Sequence, residues 1–211
     1  MGQKMYKENY QKMLDNVLSK IQPDNPPSLL LHSCCAPCSS YVLSYLSEYF
    51  KITVFYYNPN IYPEEEYKKR VSEQKYFIER IPSVNKINFT EGTYETDRFY
   101  ETVKNFENLR EGGERCFKCF RMRLDKTAEY AAQNGFDYFS TTLTVSPYKN
   151  ADILNHIGNE LEVKYNVKYL FSDFKKKDGY KKSIQLSRIY NLYRQDYCGC
   201  VFSLRARDAE A

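Results

Sequence analysis

The chain has 211 residues, of which 42% are hydrophobic, and this is enough for one α/β domain with a buried core. The formal net charge is only +4, and no apolar run approaches the roughly 20 residues that span a bilayer, so we expect no membrane partner. Because the first residues, MGQKMYKENYQKML, are polar and amphipathic rather than typical of a signal peptide, we expect a cytoplasmic protein.

Apolar residues at helical spacing predict a first helix over 6–21, which the Pro-rich stretch QPDNPPS ends. Residues 28–32 form a short apolar run that is typical of a buried strand. The elements expected after this strand are, in chain order, helix 39–50, strand 51–57, helix 63–80, strand 84–90, helix 96–109, helix 116–134, strand 137–142, helix 152–165, strand 168–171 and helix 183–194.

Strands and helices therefore alternate along the chain, which predicts an α/β fold with a mostly parallel sheet flanked by helices. We expect a single catalytic domain over 28–211, preceded by an N-terminal helical extension over 1–27. Functional groups of such sheets collect at the carboxyl ends of the strands. Cys34 and Cys35, Asn58 and the segment 141–147 all follow predicted strands.

Three cysteines, Cys34, Cys35 and Cys38, lie within five residues at a predicted strand-to-helix turn. The amino end of a helix stabilises thiolates, because its unpaired N–H groups and its dipole favour negative charge. Buried structural thiols would explain one such cysteine but not three so close together. This cluster indicates metal or redox chemistry.

Two further clusters follow. Cys116 and Cys119 form a C-x-x-C motif whose i, i+3 spacing points both sulfurs the same way; alone it could be half a zinc site or a thioredoxin-like pair. In Cys198-Gly199-Cys200 the glycine permits a tight turn. These two thiols could face one metal or oxidise to an easily reduced disulfide, and both alternatives remain open.

The seven cysteines favour iron–sulfur chemistry over zinc. Clustered thiols of a reducing cytosol are more often metal ligands or redox catalysts than structural disulfides. A structural zinc uses four ligands and would leave three thiols unexplained, and only two histidines, His32 and His156, are present. No G-x-G-x-x-G or P-loop follows a strand, so neither ATP nor NAD is expected.

Five sequence strings, in this order, resemble the QueH-type epoxyqueuosine reductases: LLLHSCCAPCSS, YYNPNIYPEEEYKKR, GGERCFKCFRMRLDKTAEYA, TTLTVSPYKN and YCGC. The resemblance covers about 28–204 and implies an adenine-nucleotide-hydrolase-like (HUP-like) α/β fold. It also implies removal, without cobalamin, of the epoxide oxygen of epoxyqueuosine at the wobble position of tRNA, which is the final step of queuosine biosynthesis. The implied partners are tRNA carrying epoxyqueuosine and an external electron donor.

The same resemblance implies site roles. A 4Fe–4S cluster would have four thiolate ligands, Cys34, Cys35, Cys116 and Cys119. Cys198 and Cys200 match a pair that is either a redox-active disulfide or a ligand pair for an adjacent mononuclear iron. Cys38 occupies a position where some members carry Asp, and we assign it to the second iron. The partition stays open, because Cys34 or Cys35 could serve the second iron while Cys198 or Cys200 joins the cluster.

Substrate contacts are expected from residues of two kinds. Tyr57, Asn58 and Tyr62 lie at the end of a predicted strand and are candidates to line the substrate pocket. The segment 164–194 carries nine Lys or Arg against two acids, which suits phosphates. The candidate phosphate contacts are Lys118, Arg121, Arg123, Lys181, Lys182 and Arg188. We expect His32 to be a structural hydrogen-bonding residue rather than the proton donor.

Three other functions remain possible at this point. A zinc-stapled tRNA- or protein-binding module would need no iron. An iron–sulfur-dependent tRNA thiolation enzyme would need ATP, for which the chain has no glycine-rich loop. A thiol–disulfide oxidoreductase would use Cys198 and Cys200 without metal.

Overall fold

A computed structural model describes residues 8–210 of the chain. Five strands form one sheet: β1 (Ser28–His32), β2 (Lys51–Tyr56), β3 (Ile87–Glu91), β4 (Tyr138–Thr141) and β5 (Lys168–Tyr169). Their order across the sheet is β3-β2-β1-β4-β5, and every neighbouring pair is parallel. The predicted α/β class with a parallel sheet is confirmed, and the topology is consistent with a HUP-like fold.

The helices of the described residues are α1 (Tyr10–Leu18), α2 (Ala36–Leu46), α3 (Glu64–Ile78), α4 (Thr96–Val103), α5 (Glu114–Gln133), a short 3-10 helix (Thr142–Val145), α6 (Ala151–Tyr165), α7 (Gly179–Ile189) and α8 (Val201–Glu210). In these residues no helix is both long enough and apolar enough to cross a membrane. The part of the predicted first helix that includes Tyr6 lies outside the described residues.

Several predicted helix boundaries differ from the structure; α1 ends at Leu18 rather than at residue 21, and α2 ends at Leu46 rather than at residue 50. α2 begins at Ala36 rather than at residue 39, because Pro37 fits the first turn, where its missing N–H is not needed. α4 ends at Val103, six residues early, because Lys104 is extended and Asn105 has a positive φ of 69°. α7 lies over Gly179–Ile189 instead of 183–194, and α8 was not predicted.

The sheet lies between two apolar layers, as the alternation along β1 shows. Leu29 and Leu31 pack into a cluster with α1, α2 and Phe77 of α3. Leu30 points to the other face and packs against residues of α5 and α6. All three leucines are fully buried, and each contributes about 1.5–3 kcal/mol to the free energy of unfolding.

The helix α1 belongs to the first of these layers. Its Leu14 and Leu18 are buried in the same cluster as Leu29 and Leu31. The helix of the N-terminal extension predicted over 1–27 therefore packs on the sheet. The domain boundary at residue 28 stays a prediction.

His32 joins the carboxyl ends of three strands. Its Nε2 lies 3.2 Å from the backbone oxygen of Tyr57, which can only accept, and its Nδ1 lies 3.0 Å from Thr141 Oγ1. The hydrogen bonds therefore assign a neutral ring protonated on Nε2. Complete burial, helped by the charge of Arg123, lowers the pKa of His32 to about 3. His32 has the structural role expected from the sequence.

The strand order reverses between β1 and β4, and both strands have their carboxyl ends at the same edge of the sheet. Ligand sites of open α/β sheets form in the crevice at such a switch point. The segments 33–38, 57–60 and 142–150 follow β1, β2 and β4 and so meet at this edge. The fold thus positions the first cysteine cluster there.

Candidate metal centre and substrate cavity

The sulfur atoms of Cys34, Cys35 and Cys38 all lie within 4.8 Å of one another at the start of α2. The Sγ atoms of Cys34 and Cys35 are 3.9 Å apart. Cys34 and Cys35 are buried, whereas Cys38 is half-buried. Residues so spaced can bind a metal ion, and the division of these thiols between a cluster and a second iron stays a prediction.

The charge states of these three thiols depend on one another. The pKa of Cys34 is held well below its usual range, because the Cys35 and Cys38 thiols hydrogen-bond to its sulfur. The interaction with Cys34, together with burial, raises the pKa of Cys35 to about 12, and the interactions with Cys34 and Cys35 raise the pKa of Cys38. Without a cation, only one of the three is readily ionised. A bound metal would allow all three to be thiolates, so the donor set fits a metal site.

Cys116 and Cys119 lie on the first two turns of α5. Cys119 is buried in a small apolar cluster with Cys200, Phe99 and Met122. Burial raises the pKa of Cys119 to about 12. Cys116 is half-buried and its sulfur accepts a hydrogen bond from the backbone N–H of Gly112, 3.2 Å away. The second and third cysteine motifs therefore meet, because Cys119 and Cys200 share this cluster.

The Cys198-Gly199-Cys200 loop is fixed against α3. Arg70, which is fully buried, donates to the backbone oxygen of Cys198 at 3.3 Å and pairs with Glu66 at 2.6 Å. The backbone N–H of Tyr62 donates to the Gly199 oxygen at 2.8 Å. Gly199 has a φ of +121°, which a residue with a side chain rarely adopts.

One buried cation links all three motifs. Arg123 is 1% exposed and donates from Nε to the backbone oxygen of Cys119 at 3.3 Å. Burial acts to lower the pKa of Arg123, but thiols of all three motifs outweigh it: Cys119, Cys198, Cys34 and Cys116. No partner for its Nη2 is found among the described residues. A guanidinium here offsets the negative charge of converging thiolates.

All seven cysteines are free thiols in this structure. The Cys198–Cys200 disulfide, one of two alternatives left open by the sequence, is therefore not formed here. Cys35 has a further partner, Gln195, whose Nε2 donates to its sulfur at 3.0 Å. The position of Gln195, three residues before Cys198, is the one sign in the sequence that could have identified it.

A cavity of about 560 Å³ opens beside these thiols. Its wall includes the sulfur-bearing residues Cys34, Cys38 and Cys198. The other residues that give it chemical character are four cations and three tyrosines, namely Arg110, Lys149, Arg194, Arg207, Tyr148, Tyr180 and Tyr197. A volume of this size is typical of a small-molecule site.

Lys149 is a cation of the cavity wall whose charge interacts with three thiols. Burial acts to lower the pKa of Lys149, but Cys198, Cys34 and Cys38 outweigh it, and the pKa is raised. The side chain therefore stays charged in the cavity. Sequence reasoning did not single out Lys149, although it lies in the string TTLTVSPYKN.

The predicted pocket residues Tyr57 and Asn58 lie at the carboxyl edge but are buried. The Tyr57 hydroxyl donates to Glu95 at 2.8 Å, and Asn58 Nδ2 donates to the Ser33 oxygen at 2.7 Å. Arg123 reaches Asn58 Oδ1 at 3.4 Å. Asn58 thus supports the segment that carries Cys34 and Cys35, whereas Tyr57 bonds to the residue before α4; contact of either with substrate stays a prediction.

The predicted phosphate contacts are distributed differently. Arg123 is buried among the cysteines as described. Five others are exposed on α5 and α7: Lys118, Arg121, Lys181, Lys182 and Arg188. Arg121 pairs with Glu160, and Lys118 lies 4.4 Å from the Phe106 ring centroid. None of these six predicted phosphate contacts belongs to the described residues that form the cavity wall. Their role in tRNA binding stays a prediction.

Fold and site together define a class: a HUP-like α/β protein with a cysteine cluster, suited to a metal, beside a cavity at the carboxyl edge of the sheet. A family profile described as "Epoxyqueuosine reductase QueH" matches residues 29–206, nearly the whole chain. The chain belongs to this family of oxidoreductases.

Several relatives carry the name epoxyqueuosine reductase QueH. That of Staphylococcus epidermidis is 43% identical over 205 residues, covering 95% of this chain and 86% of the relative. That of Staphylococcus aureus is 43% identical over 206 residues, which cover 95% of this chain and 85% of the relative. That of Thermotoga maritima is 38% identical over 183 residues, which cover 85% of this chain and 92% of the relative. The resemblance seen in the motifs is confirmed.

Proposed function

We propose that this protein is an epoxyqueuosine reductase that converts epoxyqueuosine to queuosine at the wobble position of tRNA, the final step of queuosine biosynthesis. The convergence of three distant cysteine motifs beside one cavity carries this proposal. Family membership over 29–206 supports it. Because its substrate is tRNA, we place the protein in the cytoplasm.

A cysteine cluster that can bind a metal supports the iron–sulfur centre predicted from the sequence, and we keep the predicted division of its ligands. Four thiols would hold a 4Fe–4S cluster, Cys34, Cys35, Cys116 and Cys119, and three would hold an adjacent iron, Cys38, Cys198 and Cys200. Arg123, with a buried and unpartnered Nη2 among the described residues, offsets the negative charge of such a centre. When bound, the two groups supply single electrons and a Lewis acid.

The overall reaction removes one oxygen from the epoxide as water and leaves an alkene. This consumes two electrons, which come from an external donor, and two protons. The cavity of about 560 Å³ accepts the nucleoside only if it leaves the anticodon stack, as in other enzymes that act on a base. We assign to Lys149 the role of holding a positive charge where the epoxide oxygen becomes electron-rich.

The test compares two substitutions in α5. Cys119→Ala removes one proposed cluster ligand. Thr127→Ala is the control and lies two helical turns further along α5. It removes a buried hydroxyl whose hydrogen bond, among the described residues, goes to the Arg123 backbone oxygen of the same helix. After anaerobic reconstitution we expect Cys119→Ala to lose the broad visible absorption, iron and sulfide, and the deoxygenation of epoxyqueuosine-containing tRNA. Thr127→Ala should keep all of these.

An active, colourless Cys119→Ala protein would refute the cluster assignment. Stoichiometric zinc without iron in the anaerobically purified wild type would instead indicate a zinc-stapled binding module. Activity that survives removal of all metal would indicate a thiol–disulfide oxidoreductase that uses Cys198 and Cys200.

A further inference from the structure

One exposed aromatic side chain borders the cavity. Tyr148 is 78% exposed, against 42% for Tyr76 and Tyr100. Among the strongly exposed large apolar residues of the described chain, it is the one in the cavity wall. A tyrosine left in solvent at the mouth of a site, rather than packed, is available to contact a ligand.

The turn that carries Tyr148 is held in place by hydrogen bonds. The Tyr148 backbone N–H donates to Ser146 Oγ at 3.3 Å, and the Lys149 N–H donates to the Ser146 oxygen at 3.3 Å. Lys175 Nζ lies 3.0 Å from the Thr144 oxygen and 3.4 Å from the Lys149 oxygen. The Tyr148 ring is thus presented from a fixed backbone, which lowers the entropy lost on binding.

The two consecutive side chains of this turn face different surroundings. Lys149 is half-buried and interacts with the thiols, whereas Tyr148 is in solvent at the cavity rim. A ligand that fills the cavity and continues outside it would meet both. An anticodon loop with one extruded nucleotide has this shape.

The charges of the cavity wall also suit RNA. Its four cations, Arg110, Lys149, Arg194 and Arg207, face two carboxylates, Glu111 and Asp196, among the residues that the structure describes. Proteins that bind single-stranded RNA combine such positive surfaces with aromatic rings on which bases stack. Tyr148 supplies the exposed ring.

We propose that Tyr148 stacks on the anticodon-loop base next to the wobble nucleotide while that nucleotide occupies the cavity. This inference rests on the proposed function, because it takes the occupant of the cavity from it. Tyr148 is a positioning residue, since it contacts the neighbouring base rather than the reacting atoms.

Binding of a fluorescent anticodon stem-loop to the anaerobically purified protein tests the proposal. We expect Tyr148→Ala to weaken binding about tenfold, within the range for loss of one stacked base, and Tyr148→Phe to bind as the wild type does. Tyr76→Ala is the matched control, because Tyr76 is an exposed tyrosine on α3 outside the cavity wall. It should leave the affinity unchanged.

A second measurement locates the base. With 2-aminopurine next to the wobble position, the wild type and Tyr148→Phe should change its fluorescence on binding, and Tyr148→Ala should not. Equal affinity of wild type and Tyr148→Ala, or a fluorescence change that does not depend on residue 148, would overturn the stacking assignment. If the stacking effects appear but epoxyqueuosine tRNA is not reduced, the proposed function fails while the RNA contact stands.

Discussion

The Gln195 side chain, which lies outside the cysteine motifs, donates a hydrogen bond to the sulfur of the proposed ligand Cys35. Partners of this kind orient metal ligands, and their loss typically weakens metal binding 10- to 100-fold. We therefore expect Gln195→Leu, which keeps the volume but removes the donor, to lower metal affinity by about tenfold. Competition with a chelator measures the metal affinity of the variant and of the wild type.

Gln133→Leu provides the control, because Gln133 is an exposed residue at the end of α5. The variant should hold metal like the wild type. If Gln195→Leu also does, the contact is incidental to the metal centre.

Among single residues, the cysteines were identified from the sequence, but the residues that interact with the charge of their thiols were not. Three thiols within five residues are recognisable because no ordinary core uses them. Arg123 was predicted to contact phosphate, since a basic residue on a helix gives no sign of its burial. Only the packing of α5 against β1 makes it a buried counter-charge for thiols.

Among the elements, the loop that carries Cys198 and Cys200 depends on its glycine. A Cβ on Gly199 would lie 3.0 Å from Arg70 Nη1 and 3.2 Å from Ile61 Cγ1, at a φ that disfavours side chains. We expect Gly199→Ala to displace both thiols, to lower the free energy of unfolding by about 1 kcal/mol or more, and to reduce bound iron. Denaturant unfolding and metal analysis check these effects.

Gly135→Ala is the control that distinguishes the effect of backbone strain from displacement of the Cys198 and Cys200 thiols. Gly135 also has a positive φ, +68°, but an added Cβ there would meet no atom within 4 Å. We expect a similar loss of stability of about 1 kcal/mol with normal iron content. Equal iron content in both variants would show that the loop geometry does not determine metal binding.

The elements themselves were largely predictable where local signals are strong. The apolar run of β1 and the acids at the start of α3 predicted the bounds of these two elements to within about one or two residues of those in the structure. α7 and α8 were misplaced or missed. Their sequences lack a clear apolar stripe, and their burial comes from packing on α2 and around Cys200.

For the whole molecule, the cationic cavity predicts salt-dependent RNA binding. Arg110 is exposed in the cavity wall, so Arg110→Gln should reduce the slope of log affinity against log salt by about 0.7, the value for one contact with a single strand. Lys51→Gln, an exposed charge at the opposite edge of the sheet, should leave the slope unchanged. Identical slopes would place the RNA elsewhere, for example on the exposed basic residues of α5 and α7.

The sequence by itself determined the fold class and the clustered thiols, because hydrophobic periodicity and cysteine spacing are local patterns that need no knowledge of the fold. The family followed from the resemblance of five sequence strings. Only the tertiary structure decided which groups share the cavity. Tyr148 and Lys149 reach it from the turn after β4, at the edge where the parallel strands have their carboxyl ends, whereas Gln195 reaches it from the segment after α7. Whether a basic side chain is a surface charge or a buried counter-ion depends on packing between distant segments, and spacing along the chain does not contain that information.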